Sequence, residues 1–143
     1  MLVRLMYTSR ATQSVTQDTL HAILKTAKTY NLAAGITGVL CFCNNGRVFL
    51  QALEGGRDAV SKLYGHIVRD ERHSDVTLLN YDEIAERQFG GWSMGQVNMS
   101  RLNPSLLLKY SESAVMDPYA MPGKASQALL LDLVATASIM GNG

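Results

Sequence analysis

Val39-Leu40-Cys41-Phe42-Cys43, then Asn44-Asn45-Gly46-Arg47, then Val48-Phe49-Leu50-Gln51-Ala52-Leu53 is the stretch on which the fold turns. Two apolar, β-branched and aromatic runs flank an Asn-Gly step, which reads as a β-hairpin because Asn and Gly tolerate the positive φ that tight hairpin turns require. On its N-terminal side, apolar residues Leu20, Ile23, Leu24 and Ala27 recur at helical spacing up to Tyr30-Asn31, with Thr16 able to cap the helix and Asp18 in its first turn. Before that helix, Leu2 to Tyr7 reads as a strand with Val3, Leu5 and Tyr7 on one face and Leu2, Arg4 and Met6 on the other. Both faces are largely apolar, so both are expected to be covered.

On the C-terminal side, Gly55-Gly56 ends the hairpin's second strand, and Val60, Leu63, Tyr64 and Ile67 mark a second helix. Val76 to Tyr81 and Gly91 to Val97 read as two further strands. The succession strand, helix, strand, strand, helix, strand, strand predicts a ferredoxin-like α+β fold with a five-stranded sheet and two helices on one face. In that plan the first and third strands are central neighbours, which brings Tyr7 and Gln51 to one place if their registers agree. Pro104 to Leu108 and Lys124 to about Met140 then predict C-terminal helices packed on the opposite face. The organisation expected is residues 1 to 98 as one domain and 99 to 143 as a helical extension of the same compact unit.

Composition excludes several classes. The 143 residues with 47% hydrophobic content suffice for one core, burying roughly two-thirds of the unfolded chain's surface without disulfide or metal. Thirteen basic and twelve acidic residues are interspersed, so no electrostatic footprint for nucleic acid exists. Cys41 and Cys43 are too close in the chain for an ordinary disulfide and lack companions for a metal set, so they read as buried thiols. No secretory leader is recognisable after Met1, and Ala128 to Met140 is shorter than the roughly 20 residues of a membrane helix. A cytoplasmic protein is expected.

Taken singly, Tyr7 reads as a core residue with its hydroxyl at the rim, Gln51 as an edge-strand side chain, Asn31 as a helix C-terminal residue, and Trp92 and Met94 as core packing. Taken together they form a pattern. With Asn31-Leu32-Ala33-Ala34-Gly35-Ile36-Thr37-Gly38, Leu50-Gln51-Ala52-Leu53-Glu54-Gly55, Arg69-Asp70-Glu71-Arg72-His73 and Trp92-Ser93-Met94, residues 1 to 98 closely resemble the BLUF family, sensors of blue light using flavin adenine dinucleotide (FAD). The tail, Leu106-Leu107-Leu108-Lys109-Tyr110-Ser111, resembles that of short, stand-alone members.

The resemblance implies a non-covalently bound flavin, with FAD the expected cofactor, and a photoreceptor that is not an enzyme. It implies that the excited flavin draws an electron and a proton from Tyr7, that the pair recombines, and that Gln51 is left in an altered rotamer or tautomer, with Trp92 and Met94 as relay positions beside it. Asn31 would bind the polar edge of the ring, and Arg69, Arg72 and His73 the phosphates. Ile23, Leu24 and Ile67, with Val60 and Leu63, are expected to wall the ring. Tyr30 and Tyr64 are further oxidisable phenols. The expected partners are the flavin, a second copy of the chain, and a downstream signalling protein, which in the family is a response-regulator-like protein or a cyclic-di-guanylate phosphodiesterase. Two other functions are compatible with the fold alone: a chromophore-free metabolite-binding module and an acylphosphatase-like enzyme.

Overall fold

The computed structural model describes residues 1–43, 47–136 and 139–140. Asn44-Asn45-Gly46, the expected hairpin turn, lies outside the described residues, but the two strands it joins pair antiparallel in the register Cys43↔Val48 to Thr37↔Glu54. The strands are β1 (Leu2–Ala11), β2 (Thr37–Cys43), β3 (Val48–Gly56), β4 (His73–Ile84) and β5 (Gly95–Val97). They lie in the order β4-β1-β3-β2-β5, and a two-residue β6 (Ile139–Met140) adds to β5. β5 runs parallel to β2, and the other four strands pair antiparallel. The architecture is the expected α+β plan, a ferredoxin-like sheet extended by β5.

Helices α1 (Gln17–Ala34) and α2 (Arg57–Arg69) cover one face. Thr16 caps α1 by accepting a hydrogen bond from the Thr19 N–H, 3.1 Å. The helix runs a turn beyond the expected Asn31, because Leu32, Ala33 and Ala34 are compatible with helix and the stop is Gly35, whose φ of 70° is the left-handed conformation that glycine adopts without strain. Under these helices Val3, Leu5, Tyr7, Leu40, Phe49 and Leu53 from the sheet pack with Leu20, Leu24 and Val60.

The opposite face carries α3 (Pro104–Tyr110) and α4 (Gly123–Thr136). Met6, Val39, Cys41, Leu50 and Ala52 point from the sheet into a second core with Leu107, Leu129, Leu130 and Leu133. β1 and β3 therefore alternate between two cores, which explains why both their faces are apolar in sequence. α4 is described as far as Thr136 and does not reach the expected end at about Met140, because the backbone at Ile139–Met140 pairs with β5. Cys41 and Cys43 are free thiols. Among the described residues no helix is long and apolar enough to cross a membrane.

One buried ion pair belongs to the second core. Arg4 and Glu54 face each other in the β1–β3 register, with Arg4 Nε donating to Glu54 Oε2 at 2.8 Å and Glu54 fully buried. Glu54 also accepts the backbone N–H groups of Gln88 (3.0 Å) and Phe89 (2.6 Å). Its lone pairs are thus occupied, as a buried carboxylate requires, and the chain leading into Trp92 is tied to the sheet.

Candidate functional site

β1 and β3 pair so that Tyr7 lies directly opposite Gln51, and β2 places Leu40 on the other side of Gln51. A cavity of about 410 Å3 opens between α1, α2 and this part of the sheet, within the roughly 300–1,000 Å3 of small-molecule sites. Its floor is polar and buried: Tyr7, Asn31 and Gln51 are 4%, 1% and 8% exposed. Its walls are Ile23, Ala27, Leu40, Phe49, Leu63 and Ile67. Its mouth is formed by Asp70, Arg72, His66 and Tyr30.

On the floor the Tyr7 hydroxyl donates a hydrogen bond to Gln51 Oε1. The Gln51 amide then donates through Nε2 to Met94 Sδ at 3.3 Å. A thioether is a weak acceptor, so this amide N–H is available to a better one such as a carbonyl. Asn31, in the last part of α1, gives Nδ2 to the Ser93 carbonyl at 2.8 Å, and its Oδ1 has no partner among the described residues. Burial, reinforced by Tyr64 and Asp70, raises the Tyr7 pKa well above its ordinary value, so the phenol holds its proton across the whole neutral range.

His73 closes the side of the site. Its Nε2 lies 2.5 Å from the Ile67 carbonyl and its Nδ1 2.9 Å from Ser9 Oγ. A carbonyl can only accept, so Nε2 carries a proton and the ring joins the end of α2 to β1. The ring stands edge-on to Tyr7, with centroids 6.4 Å apart.

The structure brings Tyr7, Ile23, Asn31, Gln51, Ile67, Arg72 and His73 to this one cavity. Five other expected site residues sit elsewhere. Leu24 and Val60 are buried in the core beneath the helices rather than on the cavity wall. Arg69 approaches His66 Nδ1 at 3.5 Å and does not line the cavity. Met94 touches Gln51 from the core side, whereas Trp92 packs half-buried in the opposite core against the C-terminal helices. Trp92 and Met94, two apart in the expected strand Gly91 to Val97, do not share a strand face, because β5 begins only at Gly95. From Phe89 to Met94 the chain turns, with Trp92 N–H donating to the Phe89 carbonyl and Gly38 N–H to the Trp92 carbonyl, so the two-residue period of a strand does not apply there. A Cβ on Gly38 would collide with the Ala52 carbonyl oxygen, and glycine alone permits that close approach.

Sequence reading missed Thr26, Ala27, Leu40, Phe49, His66 and Asp70 as lining residues. Thr26 and Ala27 follow Ile23 by three and four positions on α1, a helical spacing that places them on the same face and was readable.

A family model described as sensors of blue-light using FAD matches residues 2–95. The chain belongs to the BLUF family. It is 41% identical over 88 residues to a photoactivated adenylate cyclase subunit beta of Euglena gracilis, covering 62% of this chain and 10% of that protein. Among solved structures it resembles BlsA in its photo-activated state, with 30% identity, a TM-score of 0.82 and coverage of 98% of this chain and all of that one. It also resembles BlrB, described as a BLUF protein in the dark state, with 29% identity, a TM-score of 0.75 and coverage of 94% and 95%. The chain thus spans a tenth of the length of the curated cyclase subunit and the full length of BlsA. Membership in BLUF makes it a flavin-based blue-light sensor module and sets aside the metabolite-binding and acylphosphatase-like alternatives.

The donor set suits a flavin ring, which is flat and apolar with one edge of two carbonyls and an N–H. The cavity supplies aliphatic walls, the weakly engaged amide N–H of Gln51 for a carbonyl, and the Asn31 amide oxygen for an N–H.

Proposed function

We propose that Tyr7 and Gln51 form the light-operated switch of a stand-alone blue-light receptor that holds FAD and signals to a separate effector protein. The observation that carries this reading is the Tyr7 Oη–H to Gln51 Oε1 hydrogen bond on the floor of the cavity. The flavin, when bound, supplies the absorption of blue light and the oxidising power of its excited state. Everything else belongs to the chain. Ile23, Leu63 and Ile67 would hold the ring flat between the helices, and Asn31 would fix its polar edge.

Tyr7 is the electron and proton source. Its hydroxyl proton already lies along a hydrogen bond, and its raised pKa keeps the phenol intact until light acts. Gln51 presents donor and acceptor on one rotatable amide. Turning it releases Met94 Sδ and exchanges the group offered to Tyr7, so a local change at the floor reaches the 89–94 segment through Met94.

That segment joins the two cores. Ser93 is held by Asn31 on the cavity side, while Trp92 and Phe89 lie in the C-terminal core. A shift of Met94 therefore displaces Trp92 against α3 and α4, which makes residues 99–143 the output surface toward an effector protein and a second copy of the chain. The sensor has no chemistry of its own to catalyse in this reading.

Absorption spectroscopy of the purified protein in darkness, under blue light and during recovery tests it. The expected result is a flavin spectrum that moves reversibly to longer wavelength and no longer moves in Gln51→Leu. A spectrum that shifts normally in Gln51→Leu would remove the switch assignment, and a protein that takes up no flavin would remove the whole reading. Hydrogen exchange over residues 91 to 140 that is unchanged by light would remove the output path.

A further inference from the structure

On the side of the sheet away from the cavity, three sulfur atoms come together. Cys41 and Cys43 are two apart on β2 and so face the same way. That face packs on the C-terminal core, with Cys41 buried in it and Cys43 and Met99 half-buried against it. Met99 opens a 3-10 turn, Met99–Arg101, two residues after β5. Because β5 runs parallel beside β2 in the register Val39↔Gly95, the chain leaving it carries Met99 alongside the two thiols. The Cys41 Sγ–H donates to Met99 Sδ at 3.2 Å, a contact between a weak donor and a weak acceptor.

Among the described residues no group of three His, Cys, Asp or Glu side chains is placed to hold a metal ion. The thioether of Met99 changes what the two thiols can do. Two thiols and a thioether make a donor set entirely of sulfur, and thiolate and thioether are the ligands that select Cu(I) over harder cations. Metal–sulfur bonds of about 2.3 Å place two sulfurs of one metal roughly 3.3–4 Å apart. The Cys41 and Met99 sulfurs, at 3.2 Å, have to open by only several tenths of an ångström to share one.

We infer that Cys41, Cys43 and Met99 form a Cu(I)-binding site that joins β2 to the start of the C-terminal extension. Binding replaces the Sγ–H bonds of Cys41 and Cys43 by Cu–S bonds, and both protons leave to solvent. Met99 adds a lone pair and loses nothing, and no electron is transferred. Burial pushes the Cys41 thiol up to about 12, so without a metal it stays protonated and unreactive. The single charge of Cu(I) cancels the buried Cys41 thiolate, as a charge taken out of water requires, and the second thiolate charge rests on Cys43 at the half-buried end of β2. A bound ion would tie the 3-10 turn to β2 and fix where the chain leaves the sheet for α3. The site lies across the sheet from Tyr7 and Gln51 and does not rest on the flavin reading.

Competition against the Cu(I) complex of bicinchoninate, run without oxygen on the reduced full chain, measures binding. One equivalent of Cu(I) is expected to pass to the wild-type protein, and X-ray absorption of the loaded protein is expected to show three sulfur neighbours at about 2.3 Å. Cys41→Ala and Cys43→Ala are each expected to weaken binding by more than about 100-fold, above the roughly 10–100-fold loss that an outer-shell contact costs. Met99→Leu is expected to weaken it by about tenfold or more, a thioether being the weaker donor. Met121→Leu, which alters another thioether of the same core, is expected to change nothing.

No transfer of Cu(I) to the wild-type protein, two sulfur neighbours in place of three, or an affinity that Met99→Leu leaves unchanged would each overturn the inference. Equal losses in Met99→Leu and Met121→Leu would overturn it too, because they would report the packing of the core and not a ligand. Should Cys41→Ala fail to fold, Cys43→Ala and the X-ray absorption of the wild-type protein decide. Flavin uptake and the light response are read separately, so either reading can fail while the other stands.

Discussion

The two faces of this sheet are built from the same alternating strands and solve opposite problems. Beneath α3 and α4, Met6, Val39, Leu50, Leu129, Leu130 and Leu133 pack into a hydrophobic core. Beneath α1 and α2, the corresponding alternate residues leave about 410 Å3 open, floored by a phenol and two amides. The filled face stabilises the chain, and the open face spends part of its burial on a site. A packed interior resists small displacements until it changes arrangement as a whole, so the filled face is suited to receive a signal and the open face to generate one.

The 85–94 segment belongs to both. Glu54 anchors its beginning through Gln88 and Phe89, Arg87 spans Gly35 and Thr37, and Asn31 holds Ser93. Trp92 then sits in one core and Met94 in the other. A segment tied at both ends and divided between two cores transmits a push better than one free to relax.

The largest expected loss comes from breaking the anchor. Glu54→Ala leaves Arg4 buried without its carboxylate and two backbone N–H groups without an acceptor, and is expected to cost about 3–5 kcal/mol in denaturant unfolding. A cost below about 1 kcal/mol would mean that Arg4 finds solvent and that the anchor is not a buried pair.

Next is the filled face alone. Leu130→Ala removes a fully buried side chain from the C-terminal core and is expected to cost about 2–5 kcal/mol. Riboflavin affinity in the folded variant should remain near that of the wild type, because the cavity lies across the sheet. A large loss of affinity at unchanged fold would show that the two faces are coupled even in darkness.

Alkaline pH strains both faces. Burial pushes the Cys41 thiol in the filled core up to about 12 from an ordinary 9.0, and raises the Tyr7 phenol on the open face above its ordinary 10.0. Both groups are neutral when protonated, so between the unfolded and folded pKa values the unfolded chain binds fewer protons than the folded one. Stability is therefore full below about pH 9 and falls as pH rises from there. Cys41→Ala is expected to flatten the first part of that decline and Tyr7→Phe the later part, as read from unfolding curves at stepped pH. An unchanged slope in both variants would contradict these burials.

The smallest stability effect belongs to the site itself. Tyr7→Phe at neutral pH loses one hydrogen bond whose acceptor, Gln51 Oε1, borders a cavity open to water or ligand, so the cost expected is about 0.5–1.5 kcal/mol. Its optical effect should be the reverse in rank: the reversible light shift is lost. A Tyr7→Phe protein that still shifts would transfer the donor role to another phenol, of which Tyr64, with its ring centroid 5.8 Å from that of Tyr7, is the nearest described.

Much of this was readable in the chain. Periodicity and turn chemistry gave the five strands, the first two helices and their order, because each depends on residues close in sequence. The alternation in β1 also announced that two cores exist. Ends were read less well: β4 is twelve residues rather than six and β5 three rather than seven, since pairing across the sheet, and not local propensity, decides where a strand stops.

What tertiary structure alone decided is which residues meet. Sequence placed Tyr7 and Gln51 on neighbouring strands, and the β1–β3 register set them face to face; a slip of one residue would have sent either to the filled core. Sequence put Trp92 and Met94 two apart, and the turn after Phe89 sent them to opposite cores. The resemblance gave Arg72 to a phosphate, and the fold places its guanidinium against Asp70. Composition and pattern fix what a segment can be, because those forces act along the chain. Partners across the chain are fixed only when register, turn and burial are satisfied together.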